Sequence, residues 1–209
     1  MVTVRRMSDL PAWPDAPMDT LLRDAVEWVR PAVAAVTAAD LARPTPCAEW
    51  AVTDLLAHMI GALADMRFTA SKQLADHAQV FGRTPAPALA VSPLEAFEAA
   101  AAVTLAAWSA PGALVGNTPL PVGFEVPAVM AAGINFFDTL VHGWDLRMAL
   151  GLDAEMPAHL AEAALAVTQT IVSADVRALV GFDPERRPMD AGSATERLVA
   201  FLGRPTSWR

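Results

Sequence analysis

The chain has 209 residues, of which 54% are hydrophobic and 18% charged, with a net charge of −8. That length suits one domain with a sizeable core, while the acidic balance and the lack of a basic run argue against nucleic-acid binding. No apolar run is long enough to cross a bilayer, and a single cysteine, Cys47, excludes an intrachain disulfide.

In chain order, residues 1–17 carry Pro11, Pro14 and Pro17 and read as an irregular arm. The arm begins MVTVRRMSDLPAWPD, which lacks the apolar stretch of a signal peptide, so a cytoplasmic protein is expected. Asp19 or Thr20 can cap the helix that follows. Met18, Leu21, Leu22, Ala25, Val26, Val29, Val33 and Val36 give it a helical period. Pro31 is expected to kink this helix or divide it at Arg30. Pro44 and Pro46 make residues 37–52 a connector. Thr53 is the expected N-cap of a second helix reaching about Asp76, with Leu55, Leu56, Met59, Ile60, Leu63 and Met66 on its apolar face. His58 lies on or beside that face, and Asp65, seven residues on, shares its direction. Taken alone, an imidazole there reads as a satisfied core group. Residues 79–92 read as a loop. Ser92, Pro93 and Glu95 start a third helix that runs to Trp108. After a Pro/Gly-rich connector at 111–126, Pro127 opens a fourth helix that Gly151 closes. A fifth runs from Pro157 to about Leu179, residues 181–193 form a polar loop, and residues 194–203 form a short last helix. No strand alternation occurs. The expected fold is all-α, a helix bundle with long connectors.

The stretch that points to function is Asn135 to Gly151, NFFDTLVHGWDLRMALG. Asn135, Asp138, His142 and Asp145 interrupt an otherwise apolar sequence at steps of three, four and three. In a helix those steps form one stripe. A helix apolar nearly all round is buried, and buried acids and imidazoles need a partner or a metal. Asp138 and His142, one turn apart, can close on one ion; a buried Asp–His hydrogen bond that locks two helices is the equal alternative. Cys47 lies between prolines with no histidine near it in sequence, and reads as a small buried residue, not a nucleophile. Arg147 reads as surface charge, and His77 and His159, near helix ends, receive no role.

Four motifs occur in order: PTPCAEW at 44–50, DLLAHMIG at 54–61, DTLVHGWDL at 138–146 and ERLVAFLGR at 196–204. Together they resemble the mycothiol-dependent maleylpyruvate isomerase N-terminal family, part of the wider DinB-like metal-binding superfamily. The resemblance runs from about Met18 to the C-terminus. It implies a DinB-like four-helix bundle over residues 18–180, with residues 181–209 packed on it as a loop and short helix. It also implies a divalent metal held by His58, Asp138 and His142. The isomerase has Glu where this chain has Asp138, so an ion here sits tighter or meets the acid through water. Trp144 and Asp145 match the family's H-x-W-D-L segment. Asp145 is a candidate to orient a ligand imidazole or to join two helices, and Asp65 and Asp145 are taken together as cofactor-binding positions. Zinc is the expected ion, with nickel and iron as alternatives; mycothiol is the expected co-substrate. The isomerase's additional C-terminal domain is not expected here, so its reaction is not carried over. Three functions follow: a metal- and thiol-dependent transferase or isomerase of detoxification or catabolism, a metal-dependent hydrolase, or a non-catalytic metal-stabilised bundle. The partners expected are a small-molecule thiol and an electrophilic substrate, with no nucleic acid and no membrane; a homodimer is left open.

Overall fold

The structure, a computed structural model, describes residues 12–47, 50–74, 92–120, 125–180, 182–186, 192–205 and 208. The expectations for residues 1–11, the loop at 79–91 and His77 lie outside these. Four long helices, α1 (Met18–Ala34), α2 (Val52–Ala70), α3 (Pro93–Trp108) and α4 (Ala128–Leu150), form the body of the molecule. α1 packs on α3 and α4, and α2 packs on the same two, so the four close a ring. Leu22, Leu55, Leu56, Leu63, Phe97, Phe136 and Leu140 fill its interior, and burying such side chains is the main force that holds a bundle together. α4 is buried on most of its circumference. It comes close to α1 at Gly143, where a Cβ would overlap the Val29 side chain. The expected all-α bundle is thus the fold observed, and among the described residues no helix is long and apolar enough to cross a membrane.

Helix ends follow local chemistry. Ser92 Oγ accepts the Glu95 N–H at 3.2 Å, as an N-cap should. Gly151 takes φ 70°, and its N–H and that of Leu152 donate to the carbonyls of Met148 and Arg147, so it ends α4 as expected.

Several expectations change, and neither Asp19 nor Thr20 caps α1, whose N-cap is Pro17. α1 is not divided at Arg30 but continues through Pro31 to Ala34. Pro31 and Glu27, whose carbonyl loses its helical donor, are both on the exposed face, where water can replace the bond. α2 starts one residue before Thr53, because the Asp54 carboxylate accepts the Ala51 N–H at 3.2 Å, and it ends at Ala70, before Lys72 turns to φ 58°. The connector after α3 holds a small antiparallel ribbon, β1 (Asn117–Pro119) on β2 (Glu125–Pro127); strands of three residues are too short to show alternation. The helix expected from Pro157 to Leu179 is two, α5 (Ala158–Ile171) and α6 (Ala174–Val180). Ser173 divides them, its Oγ accepting the Val176 N–H at 3.2 Å. Arg147 is not plain surface charge. Its Nη2 donates to the Trp28 carbonyl at 2.7 Å, its Nη1 to that of Asp153 at 2.9 Å, and its guanidinium lies 4.3 Å from the Trp28 ring centre, so it clamps α4 to α1.

α7 (Ala194–Phe201) is capped by Ser193 and Glu196, which bond each other's backbone at 3.2 and 2.9 Å. It packs on α5, and α5 packs on α4. The chain after α7 therefore arrives beside the buried stripe of α4.

Candidate metal centre

α4 carries Asp138 and His142 one turn apart, and α2 sets His58 opposite them. His58 Nε2 lies 3.6 Å and His142 Nε2 3.4 Å from the same oxygen, Asp138 Oδ1. Both separations exceed the about 2.7–3.2 Å of a good N–H···O bond. Donors about 2.1 Å from a tetrahedral ion stand roughly 3.4 Å apart, so the spacing fits three ligands round one cation better than two direct hydrogen bonds. Side-chain exposure is 34% for His58, 27% for Asp138 and 9% for His142. The cluster is closed on the α4 side and reaches solvent beside His58 and Asp138.

Behind His142 the stripe continues. Asp145 is fully buried, and its Oδ2 sits 3.0 Å from His142 Nδ1. Arg204, from the segment after α7, forks onto the same carboxylate, Nε to Oδ1 and Nη2 to Oδ2, each at 2.8 Å. Burial pushes the Asp145 carboxyl up, but the Arg204 guanidinium and the hydrogen bond from His142 outweigh it and hold it below the usual carboxylate range. An ionised carboxylate only accepts, so Nδ1 of His142 carries the proton and donates it.

In front lies the connector before α2. Pro44 and Pro46 stiffen it, and Thr45 closes it: its N–H and Oγ both bond the Trp50 carbonyl, and the Trp50 N–H bonds the Cys47 carbonyl. That turn presents two side chains to the cluster. The Trp50 ring lies 4.9 Å from His58 and stacks on His142 at 5.8 Å and 21°. Cys47 Sγ joins His142 and Asp145 in a second group of donor atoms, all within 4.8 Å of one another. Burial, with Asp145 adding to it, pushes the Cys47 thiol up to about 11, so it stays protonated.

Of the expected positions, His58, Asp138 and His142 come together and Asp145 stands behind His142 with no free face toward solvent. Asp65 joins neither group of donor atoms among the described residues. It lies about 10 Å along α2 from His58, buried, with Oδ2 unpaired and its carboxyl raised by burial. Asn135, first in the polar stripe, is structural: its Oδ1 accepts the Trp108 indole N–H at 3.1 Å. Sequence reasoning gave no role to Trp50, Cys47 or Arg204. All three lie within the four quoted motifs, and a lone Arg after the apolar LVAFLG was the signal for Arg204.

Without metal, burial works against a charged His142, but Asp138 and the hydrogen bonds to Asp138 and Asp145 outweigh it and push His142 up to about 9. A raised imidazole stabilises the fold fully below its unfolded value of 6.5 and loses that contribution as pH rises through about 9. A metal must displace the Nε2 proton. Affinity for Co2+ should therefore rise by about tenfold per pH unit below pH 9 and then level off. Competition titrations across that range check it, and a flat profile would show that His142 is not a ligand.

The sequence profile of the mycothiol maleylpyruvate isomerase N-terminal domain matches residues 22–147, which include His58, Asp138 and His142. Two uncharacterized proteins of Mycobacterium tuberculosis, MT0763 and Rv0738, are each 32% identical over 173 residues, 82% of this chain and 89% of theirs. The crystal structure of the mycothiol-dependent maleylpyruvate isomerase aligns with a TM-score of 0.55 at 17% identity, over 74% of this chain and 70% of that one. A histidine-to-alanine mutant of that enzyme aligns with a TM-score of 0.56. At such identity the likeness concerns the fold. With more than half its length under the profile, the chain belongs to the mycothiol maleylpyruvate isomerase N-terminal domain family.

Proposed function

We propose that this protein is a metal-dependent enzyme that uses a low-molecular-weight thiol, mycothiol, to attack an electrophilic substrate, as a transferase or isomerase. The observation that carries the reading is the spacing of His58 and His142 Nε2, 3.6 and 3.4 Å from one oxygen of Asp138, at the edge of solvent. His58, Asp138 and His142 would hold a divalent ion, zinc first, with nickel or iron as alternatives. A bound cation supplies the Lewis acidity that favours the thiolate form of an incoming thiol. The residues of the chain arrange the rest. Three protein donors leave a coordination position for a small molecule. Trp50 walls the cluster over both imidazoles. Without metal, burial keeps the Cys47 thiol protonated. The family and the solved isomerase support mycothiol as the thiol.

The test is metal analysis, calorimetry with mycothiol, and an electrophile panel assayed with and without mycothiol on loaded protein. One ion per chain and turnover only with thiol are expected. Turnover without thiol would make the protein a metal-dependent hydrolase. Loaded protein that neither binds thiol nor turns over would leave a metal-stabilised bundle.

A further inference from the structure

Arg204 lies beyond the residues that the family profile covers and 59 positions from Asp145, yet it is buried against that carboxylate. Its placement is built. After α7 the N–H of Gly203 donates to the Ala200 carbonyl at 3.0 Å and that of Arg204 to the Val199 carbonyl at 2.9 Å, with Gly203 at φ 84°. Only glycine takes this turn easily, and a Cβ at Gly203 would meet the Asp183 carbonyl oxygen at 2.5 Å. Arg186 Nε then bonds the Gly203 carbonyl at 2.6 Å and holds the turn. A guanidinium bonded at two points fixes the plane of the carboxylate it grips. The gripped oxygen, Oδ2, also accepts the Nδ1 proton of His142. Partners one step behind a metal-binding imidazole set its tautomer and ring orientation.

We propose that Arg204 is a positioning residue: through Asp145 it locks the His142 ring with Nδ1 protonated and the Nε2 lone pair turned toward Asp138 and His58. The inference rests on His142 being a ligand. A residue after α7 thereby tunes the centre without touching it.

The experiment compares Co2+ affinity and the visible spectrum of the Co2+ protein in wild type, Arg204→Lys and Leu160→Ala. Lysine keeps the charge but loses the two-point grip. Leu160 is buried on α5, the helix on which α7 packs, so Leu160→Ala should loosen the same C-terminal packing without removing a group bonded to Asp145. Arg204→Lys should weaken Co2+ binding by about 10- to 100-fold and shift the spectrum. Leu160→Ala should melt earlier yet bind Co2+ as wild type does. Equal affinity in wild type and Arg204→Lys, or equal weakening in both variants, overturns the proposal while the metal reading stands. Wild type that binds no Co2+ overturns the metal reading itself. Should Arg204→Lys not fold, proton exchange decides on the wild type: the His142 Nδ1 proton, facing a buried carboxylate, should exchange with solvent more slowly than the corresponding proton of His58. Equal exchange overturns the proposal.

Discussion

His58→Ala should weaken divalent-metal binding by more than about a hundredfold, while the metal-free protein keeps its helical circular dichroism. Losing an outer partner of a ligand costs about 10- to 100-fold in affinity, and losing one of three ligands costs more. The fold should tolerate the change, since the His58 ring is 34% exposed and Asp138 keeps access to water. Metal-free melting should move by less than about 1 kcal/mol. Competition titration with a chromogenic chelator provides the check. Binding within threefold of wild type would show that α2 supplies no ligand and that the cluster is not a three-donor site.

Arg204→Met should have the largest effect on stability. It leaves Asp145 charged, fully buried and gripped only by His142. Removing one partner of a buried ion pair costs about 3–5 kcal/mol, or about 6–20 °C in melting temperature for a chain of this size. The penalty belongs to the stranded carboxylate, so Asp145→Leu combined with Arg204→Met should recover much of it. Melting curves of the two variants decide the matter. A single variant as stable as wild type would mean that water reaches Asp145.

The helices and the Asp138–His142 pair on α4 were legible because both are local. Apolar period marked α1 and α2, start and stop residues marked α3 and α4, and a D-x-x-x-H step is readable wherever a helix is certain. His58 could not be read from its own neighbours, since what makes it a candidate ligand is the opposite face of α4; the family resemblance supplied that link. Arg204 escaped for the same reason, its partner Asp145 lying 59 positions away. Cys47 was set aside because no histidine stands near it in sequence, and the Thr45–Trp50 turn then brought it to His142. Asn135 shows the opposite failure. The stripe was real, but an amide two turns from His142 meets an indole of α3 before it meets the cluster. Pro31 and Ser173 show how one residue misleads: a proline on an exposed last turn leaves a helix whole, and a serine after Val172 is both a tolerable helix residue and a good cap.

The Arg204–Asp145 pair also governs the electric field at the opening. The chain carries −8 overall, and two carboxylates, Asp138 and Asp145, stand at the cluster. Left alone they would cancel a divalent ion. Arg204 neutralises Asp145, so with a divalent ion bound and both imidazoles neutral the centre keeps a single positive charge. Low-dielectric walls focus such a charge toward the solvent-facing edge. With that ion bound, an acidic protein would present a local attraction for anions, at the place where a thiolate or a carboxylate-bearing substrate would approach.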